Sequence, residues 1–164
     1  MAVPEMRGSE GRKMILALDC ATKTGFALVK TGKIIESGTM DFSKRRGESN
    51  GAMFLRFRRW LSVTLEQIPG VKLLVYERAH HRGGAATEIG VNMAGRVQEV
   101  GAEKGIEHVP VETKTLKKWA TGRGNVDKEA MIEASVKYLG RQPEDDNEAD
   151  AVLLAMYAHE EYGS

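Results

Sequence analysis

The stretch Met14-Ile15-Leu16-Ala17-Leu18-Asp19-Cys20-Ala21-Thr22-Lys23-Thr24-Gly25-Phe26-Ala27-Leu28-Val29 decides the fold. Its first five residues are apolar and bounded by charge and turn residues, which predicts a short buried strand. Asp19 closes that strand. Residues 21–25 read as a tight turn and 26–29 as a second strand. Thr31-Gly32-Lys33 makes a hairpin turn into Ile34-Ile35 and on to Met40-Asp41-Phe42. Three antiparallel strands in succession therefore open the chain.

Outward from this opening, residues 44–50 are polar and basic and read as a loop. Over 52–68 the residues Phe54, Leu55, Phe57, Leu61, Leu65 and Ile68 form a helical stripe, stopped by Pro69-Gly70. Residues 71–76 are apolar apart from Lys72, with Leu73-Leu74-Val75-Tyr76 unbroken, which predicts a central fourth strand. The Gly-rich loop Arg82-Gly83-Gly84 leads into a helix over 87–104, with Ile89, Met93, Val97 and Val100 on one side and Gly105 at its end. Residues 108–111 form a fifth strand. A short helix over 115–120 follows, then one over 127–139 carrying Ala130, Met131, Ala134 and Leu139. Asp145 and Glu148 read as a capping box for a last helix running to about Tyr162. The expectation is an α/β chain with a mixed five-stranded sheet flanked by helices. Residues 14–164 form a single domain and residues 1–13 a loose polar leader.

At 164 residues the chain is long enough for one sizeable core. Its 29% charged and 41% apolar content is that of a globular protein. Apolar runs are too short to span a bilayer, so no membrane partner is expected. A single cysteine, Cys20, excludes an internal disulfide and suits a reducing, cytoplasmic setting. Net charge is only +1, so bulk charge does not argue for nucleic acid; its distribution does.

Carboxylates at the ends of apolar segments carry the chemistry. Burying a charge is costly without compensation, and a hard divalent cation such as Mg²⁺ takes carboxylate oxygens and water. Asp19 alone also reads as a turn-former. Glu77 closes the strand that looks buried on both faces, at the crevice where open sheets place ligands. If the first and fourth strands are neighbours, Asp19 and Glu77 lie side by side, and one pKa rises unless a cation holds the pair. Asp146 and Asp150, four apart, share one face of the last helix, with Leu153 and Tyr157 continuing the row. Asp146 also reads as a helix-dipole partner, and Asn147 as a neutral oxygen ligand. Glu148 reads as a capping partner only. Two metals about 4 Å apart can bind a scissile phosphate together. Asp19, on the most rigid element, is the candidate bridging carboxylate.

The segment Leu16-Ala17-Leu18-Asp19-Cys20-Ala21-Thr22-Lys23-Thr24-Gly25 resembles the opening motif of RuvC-type Holliday-junction resolvases in the ribonuclease H-like superfamily. Tyr76-Glu77-Arg78 is similar to that family's second acidic motif, and Asp146-Asn147-Glu148-Ala149-Asp150-Ala151 to its C-terminal acidic helix. Thr115-Leu116-Lys117-Lys118, then Gly122-Arg123-Gly124 and Lys128, resembles its basic segment. The compact, phage-type branch is the best match. The resemblance implies a ribonuclease H-like fold and a magnesium- or manganese-dependent crossover junction endodeoxyribonuclease with two ions per site. Asp19, Glu77, Asp146 and Asp150 would be its catalytic and metal-binding residues, assisted by Lys117 and Lys128. It further implies a homodimer built on the helix over 87–104 and a bacterial or phage-infected host cell. Two features depart from the family's pattern. The acid usually three residues before Asp150 is here Asn147, with Asp146 one earlier, and His80-His81-Arg82 stand where an aromatic wedge is usual.

Basic residues cluster around these acids. Arg78, His80, His81 and Arg82 form one group, and Lys117, Lys118, Arg123 and Lys128 lie in another; both read as nucleic-acid contacts, since phosphate contacts supply most affinity and fix register. A third group, Lys44-Arg45-Arg46 with Arg56, Arg58 and Arg59, reads equally as phosphate contacts or as solubilising surface. Trp60 and Trp119 read as packing anchors, and Cys20 as a small packed residue. The leading functional expectation is a structure-selective endonuclease that cuts branched DNA, with water as nucleophile. Three alternatives stand beside it. A ribonuclease H-like nuclease would act on RNA or an RNA–DNA hybrid. An actin-like phosphotransferase needs two lobes, for which the chain is short. A non-catalytic nucleic-acid-binding protein would have no use for an intact acidic set.

Overall fold

The computed structural model describes residues 13–78 and 84–163. The leader, apart from Lys13, and the His80-His81-Arg82 segment lie outside the described residues. Five strands, β1 (Met14–Asp19), β2 (Lys23–Lys30), β3 (Lys33–Asp41), β4 (Val71–Glu77) and β5 (Glu107–Val111), form one sheet in the order β3-β2-β1-β4-β5. β1 pairs antiparallel with β2 and parallel with β4; β2–β3 is antiparallel and β4–β5 parallel. The sheet is mixed and five-stranded, as expected, with β1 and β4 side by side.

Alternation along the strands divides the core in two. Ile15, Ala17, Ala27, Val29, Leu73 and Val75 face one side, and Leu16, Leu18, Leu28, Leu74 and Tyr76 the other. The second face is covered by α1 (Asn50–Gln67) and α2 (Ala85–Lys104). The helix α1 buries Met53, Phe57, Leu61 and Leu65, a row four residues apart. Phe42, Phe57, Trp60 and Phe26 make edge-on or tilted ring contacts in this layer, so Trp60 is a packing residue. The first face is covered by α3 (Thr113–Thr121), α4 (Lys128–Leu139) and α5 (Asp146–Tyr162). There Trp119 stacks on Tyr138, meets Tyr157 edge-on, and donates from Nε1 to Glu160 at 2.6 Å.

The structure departs from the sequence reading at several points beyond shifts of one or two residues at element ends. The expected turn over 21–25 is shorter, because Lys23 and Thr24 continue β2 by pairing with Asp41 and Met40 of β3, beyond the end of β1. The helix α1 starts at Asn50 because the Ser49 hydroxyl accepts the Ala52 N–H. Leu55, expected on the apolar stripe, is 46% exposed, since the buried row runs through Met53 instead. Arg56 and Arg58 are structural cations: Arg56 binds Glu48 and Arg58 binds Glu103.

The helix α5 is central to the molecule. It buries Ala149, Ala151, Val152, Leu153, Leu154, Ala155 and Ala158. Its small residues let it settle close against the sheet. The closest approach is at Gly25, where a Cβ would stand 1.9 Å from the Asn147 carbonyl oxygen and 2.4 Å from its carbon. Both are backbone atoms and have no rotamer to yield. Among the described residues, no helix is long and apolar enough to cross a membrane. Gly25→Ala is expected to destabilise the protein by about 3 kcal/mol or more, measured by urea unfolding; a loss within about 0.5 kcal/mol would show that the helix is not seated on this glycine.

Candidate metal centre

Strand parity aims the acids. Ile15 and Ala17 face the α5 side of the sheet, so Asp19, the next odd residue, faces it too. Leu73, Val75 and then Glu77 repeat the pattern on β4. The parallel register pairs Leu18 with Tyr76, which sets Asp19 and Glu77 abreast one step further on. Asp150, one turn into α5, comes down from above. Ligand oxygens of Asp19, Glu77 and Asp150 lie within 4.8 Å of one another, and all three side chains are partly buried.

A separate set of contacts holds α5 in this position. Asp145 caps the helix by accepting the Glu148 N–H at 2.9 Å, and the Thr39 hydroxyl of β3 donates to the same oxygen at 2.6 Å. Glu148 is 1% exposed and does more than cap. The Ser37 hydroxyl donates to its carboxylate at 2.6 Å and Arg141 Nη2 at 2.6 Å. Its other oxygen takes the Glu144 N–H rather than that of Asp145, so the capping box is only half made. Burial alone would push Glu148 up; hydrogen bonds from Arg141, the Glu144 N–H and Ser37 outweigh it and hold the group below the usual carboxylate range. Glu148 is thus a buried ion-pair residue, which corrects its reading as a capping partner only.

The triad carries the opposite strain. Burial, then the charges of Glu77, Asp150, Asp146 and Asp145, push Asp19 well above the usual carboxylate range. Burial, then Glu77 and Asp146, push Asp150 up to about 7, while Lys117 and Lys128 pull it back. The adjacent Cys20 thiol is also raised, by burial and then by Asp19 and Glu77. That argues against a thiolate nucleophile.

A cleft of about 410 Å³ opens beside this cluster, lined by Glu77, Thr113, Lys117, Lys128, Asp146 and Asp150 among others, while Asp19 lies next to it and is not part of its lining. Asp146 stands outside the triad, with its Oδ2 3.6 Å from Lys128 Nζ. Asn147 does not line the cleft; its backbone rests on Gly25. Thr113, which sequence reasoning missed, donates its hydroxyl to Glu77 Oε2 at 2.7 Å and fixes that carboxylate. Its only sequence signal is its place two residues after Val111, the β5 partner of Glu77. Of the remaining expected contacts, Lys118 and Arg123 are exposed and do not line the cleft. Arg78 is exposed and paired with Glu112 at 2.7 Å. His80, His81 and Arg82 fall outside the described residues.

The donor set suits a hard divalent cation. Mg²⁺–oxygen bonds of about 2.1 Å put opposite ligands about 4.2 Å apart, which small side-chain movements would reach from the observed spacing. A cation would also offset the burial and the mutual repulsion that raise Asp19 and Asp150.

No family model and no curated protein matches the sequence. Solved structures do match. The structure of Thermus thermophilus RuvC in complex with a Holliday junction substrate superposes with a TM-score of 0.75 at 17% identity, covering 93% of this chain and 98% of that one. A second Thermus thermophilus RuvC structure gives 0.73 at 16% identity, covering 92% and 98%. At this identity the likeness establishes architecture: the chain has the ribonuclease H-like fold in the form that RuvC has it.

Proposed function

We propose that this chain is a divalent-metal-dependent endonuclease that resolves Holliday junctions or related branched DNA by paired nicks. The observation that carries the reading is the convergence of Asp19, Glu77 and Asp150 beside a cleft that Glu77 and Asp150 line together with Lys117 and Lys128. The likeness to a structure that holds a Holliday junction supports the substrate class. Bound at this cluster, a pair of Mg²⁺ or Mn²⁺ ions would supply Lewis acidity toward a phosphodiester and lower the pKa of water.

The chain's own residues do the rest. Asp19, Glu77 and Asp150 are the residues that would hold the cations. Asp146, on the same face of α5 and lining the cleft, would be a further carboxylate available to the cations, and Lys128 Nζ lies 3.6 Å from it. Thr113 keeps Glu77 in one orientation, as outer partners of metal ligands do. Lys117 and Lys128 bring ammonium groups to the phosphate and offset charge as it develops on the phosphoryl oxygens. Lys118, Arg123 and Arg78, with His80, His81 and Arg82, extend the contact along the DNA backbone. Two symmetric nicks call for a two-fold dimer. The helix α2, where Val91 is 46% exposed, is the proposed contact. The cytoplasm of a bacterial cell or an infected host is the proposed setting.

Two outcomes are expected. With Mg²⁺, the purified protein nicks a four-way junction at symmetric positions and leaves plain duplex and RNA–DNA hybrid uncut. Asp19→Asn slows junction cleavage about a hundredfold or more, equivalent to about 2.7 kcal/mol of transition-state stabilisation. Equal cutting of duplex, or selective cutting of the hybrid, would remove the junction assignment.

The second outcome concerns pH without metal. Asp150 has its folded pKa raised from 3.8 to about 7. The folded state therefore binds the proton more tightly than the unfolded state, so the group stabilises the fold when protonated and costs stability as pH rises through that window. Thermal melts in chelator are expected to show Tm rising as pH falls from about 8 to about 5.5. Asp150→Asn should flatten that slope, and Mn²⁺ should raise the wild-type Tm most at the alkaline end. An identical slope in the two proteins would contradict this assignment.

A further inference from the structure

A second basic surface shares a rim with the metal centre. The register runs from Asp19 to Gly25 on β2 and from Gly25 to Thr39 on β3. Lying two antiparallel steps from β1, β3 runs in the same direction as β1. Its C-terminal end, and the loop after Asp41, therefore leave the sheet on the side where Asp19 lies. Strands are spaced about 4.8 Å apart and rise about 3.3 Å per residue, which puts the start of this loop about 10–15 Å from Asp19.

The loop is braced from within. Arg56 of α1 donates to both oxygens of Glu48 at 2.9 Å, and to the carbonyls of Phe42 and Ser43 at 3.0 Å. The Arg45 N–H donates to Glu48 at 2.6 Å, and the Glu48 N–H to the Arg45 carbonyl at 2.9 Å. Asp41 accepts the Ser43 N–H at 2.8 Å, and the Phe42 N–H reaches the Thr22 carbonyl at 2.8 Å. Both partners of the Arg56–Glu48 pair are less than one-fifth exposed. The loop's own acid is thus turned inward and spent on Arg56. Lys44, Arg45 and Arg46 are left exposed, with no ion pair among the described residues.

Three consecutive cations held on a fixed turn repel one another, and nothing in the packing requires them there. Arg59, on the outer side of α1, is not part of this arrangement. We propose that Lys44, Arg45 and Arg46 form a preformed docking ridge for the phosphate backbone of one duplex arm of the DNA substrate. The inference rests on the nuclease reading and adds to it a second contact surface, at the β3 end of the sheet, separate from Lys117 and Lys128. The ridge would meet phosphates a few positions along the strand from the one at the metal centre. Because the loop is already ordered, binding does not have to freeze it.

The test is a salt titration of binding to a fluorescent four-way junction, with Asp19→Asn present throughout to prevent cutting. Three proteins are compared: this parent, a ridge variant (Lys44→Gln, Arg45→Gln, Arg46→Gln), and a control. The control carries Lys30→Gln, Lys33→Gln and Lys72→Gln, which remove the same charge at the opposite end of the sheet. Each phosphate that the protein no longer neutralises lowers the slope of log affinity against log salt by about 0.9. The ridge variant should fall by about two to three units of slope and at least about tenfold in affinity near 0.1 M salt. The control should match the parent. A ridge variant with the parent's slope, or a control that falls as far, would overturn the ridge while leaving the nuclease reading intact. Failure of the parent itself to bind DNA would count against both.

Discussion

Mutual repulsion among Asp19, Glu77 and Asp150 is the constraint around which this molecule is arranged. Three carboxylates whose oxygens fall within 4.8 Å, partly withdrawn from water, are a poor arrangement for a protein alone. Asp19 and Asp150 respond by holding their protons more tightly than free carboxylates do. The fold nonetheless presses them together. Two parallel strands deliver two of the acids in register, and the helix laid across them delivers the third. Such an arrangement makes physical sense when a divalent cation supplies the missing charge.

Maintaining that convergence falls to the start of α5. Gly25 lets its backbone touch the sheet, and Thr39 and Ser37 on β3 tie down Asp145 and Glu148. Arg141, itself exposed, completes an ion pair with the buried Glu148. These partners are polar and well satisfied, so they fix position without adding strain. The contrast with the triad is instructive. Glu148 is more deeply buried than any triad acid, yet its pKa is lowered, because its hydrogen bonds and its cation come from the protein itself. Among the described residues no cation is ion-paired with the triad; Lys117 and Lys128 offset only part of the charge at Asp150.

Legibility in the sequence follows the range of the interaction. Asp19 and Glu77 are legible because each ends an apolar run whose alternation fixes the face it points to. Asp150 is legible because a four-residue spacing fixes a helix face. The opening turn reads as too long, since Lys23 and Thr24 owe their strand conformation to β3, some sixteen to eighteen residues away. Glu148 is legible only as a local cap. Its partners Arg141 and Ser37 lie seven and 111 residues off, and no periodicity announces them. Arg56 reads as one more surface cation until Glu48 and two loop carbonyls close around it. Thr113 carries meaning only once β5 is laid beside β4. The motifs that support a RuvC-like reading are the local ones, and the architecture they imply is the one observed.

The most direct measurement is crystallographic: crystals grown or soaked with Mn²⁺, with anomalous scattering recorded to locate the ions. The expected result is a strong peak bonded to oxygens of Asp19, Glu77 and Asp150, with a second about 4 Å away sharing Asp19. Ordered carboxylates with no anomalous peak among them at saturating Mn²⁺ would contradict the claim that a cation is what these three acids are assembled to hold.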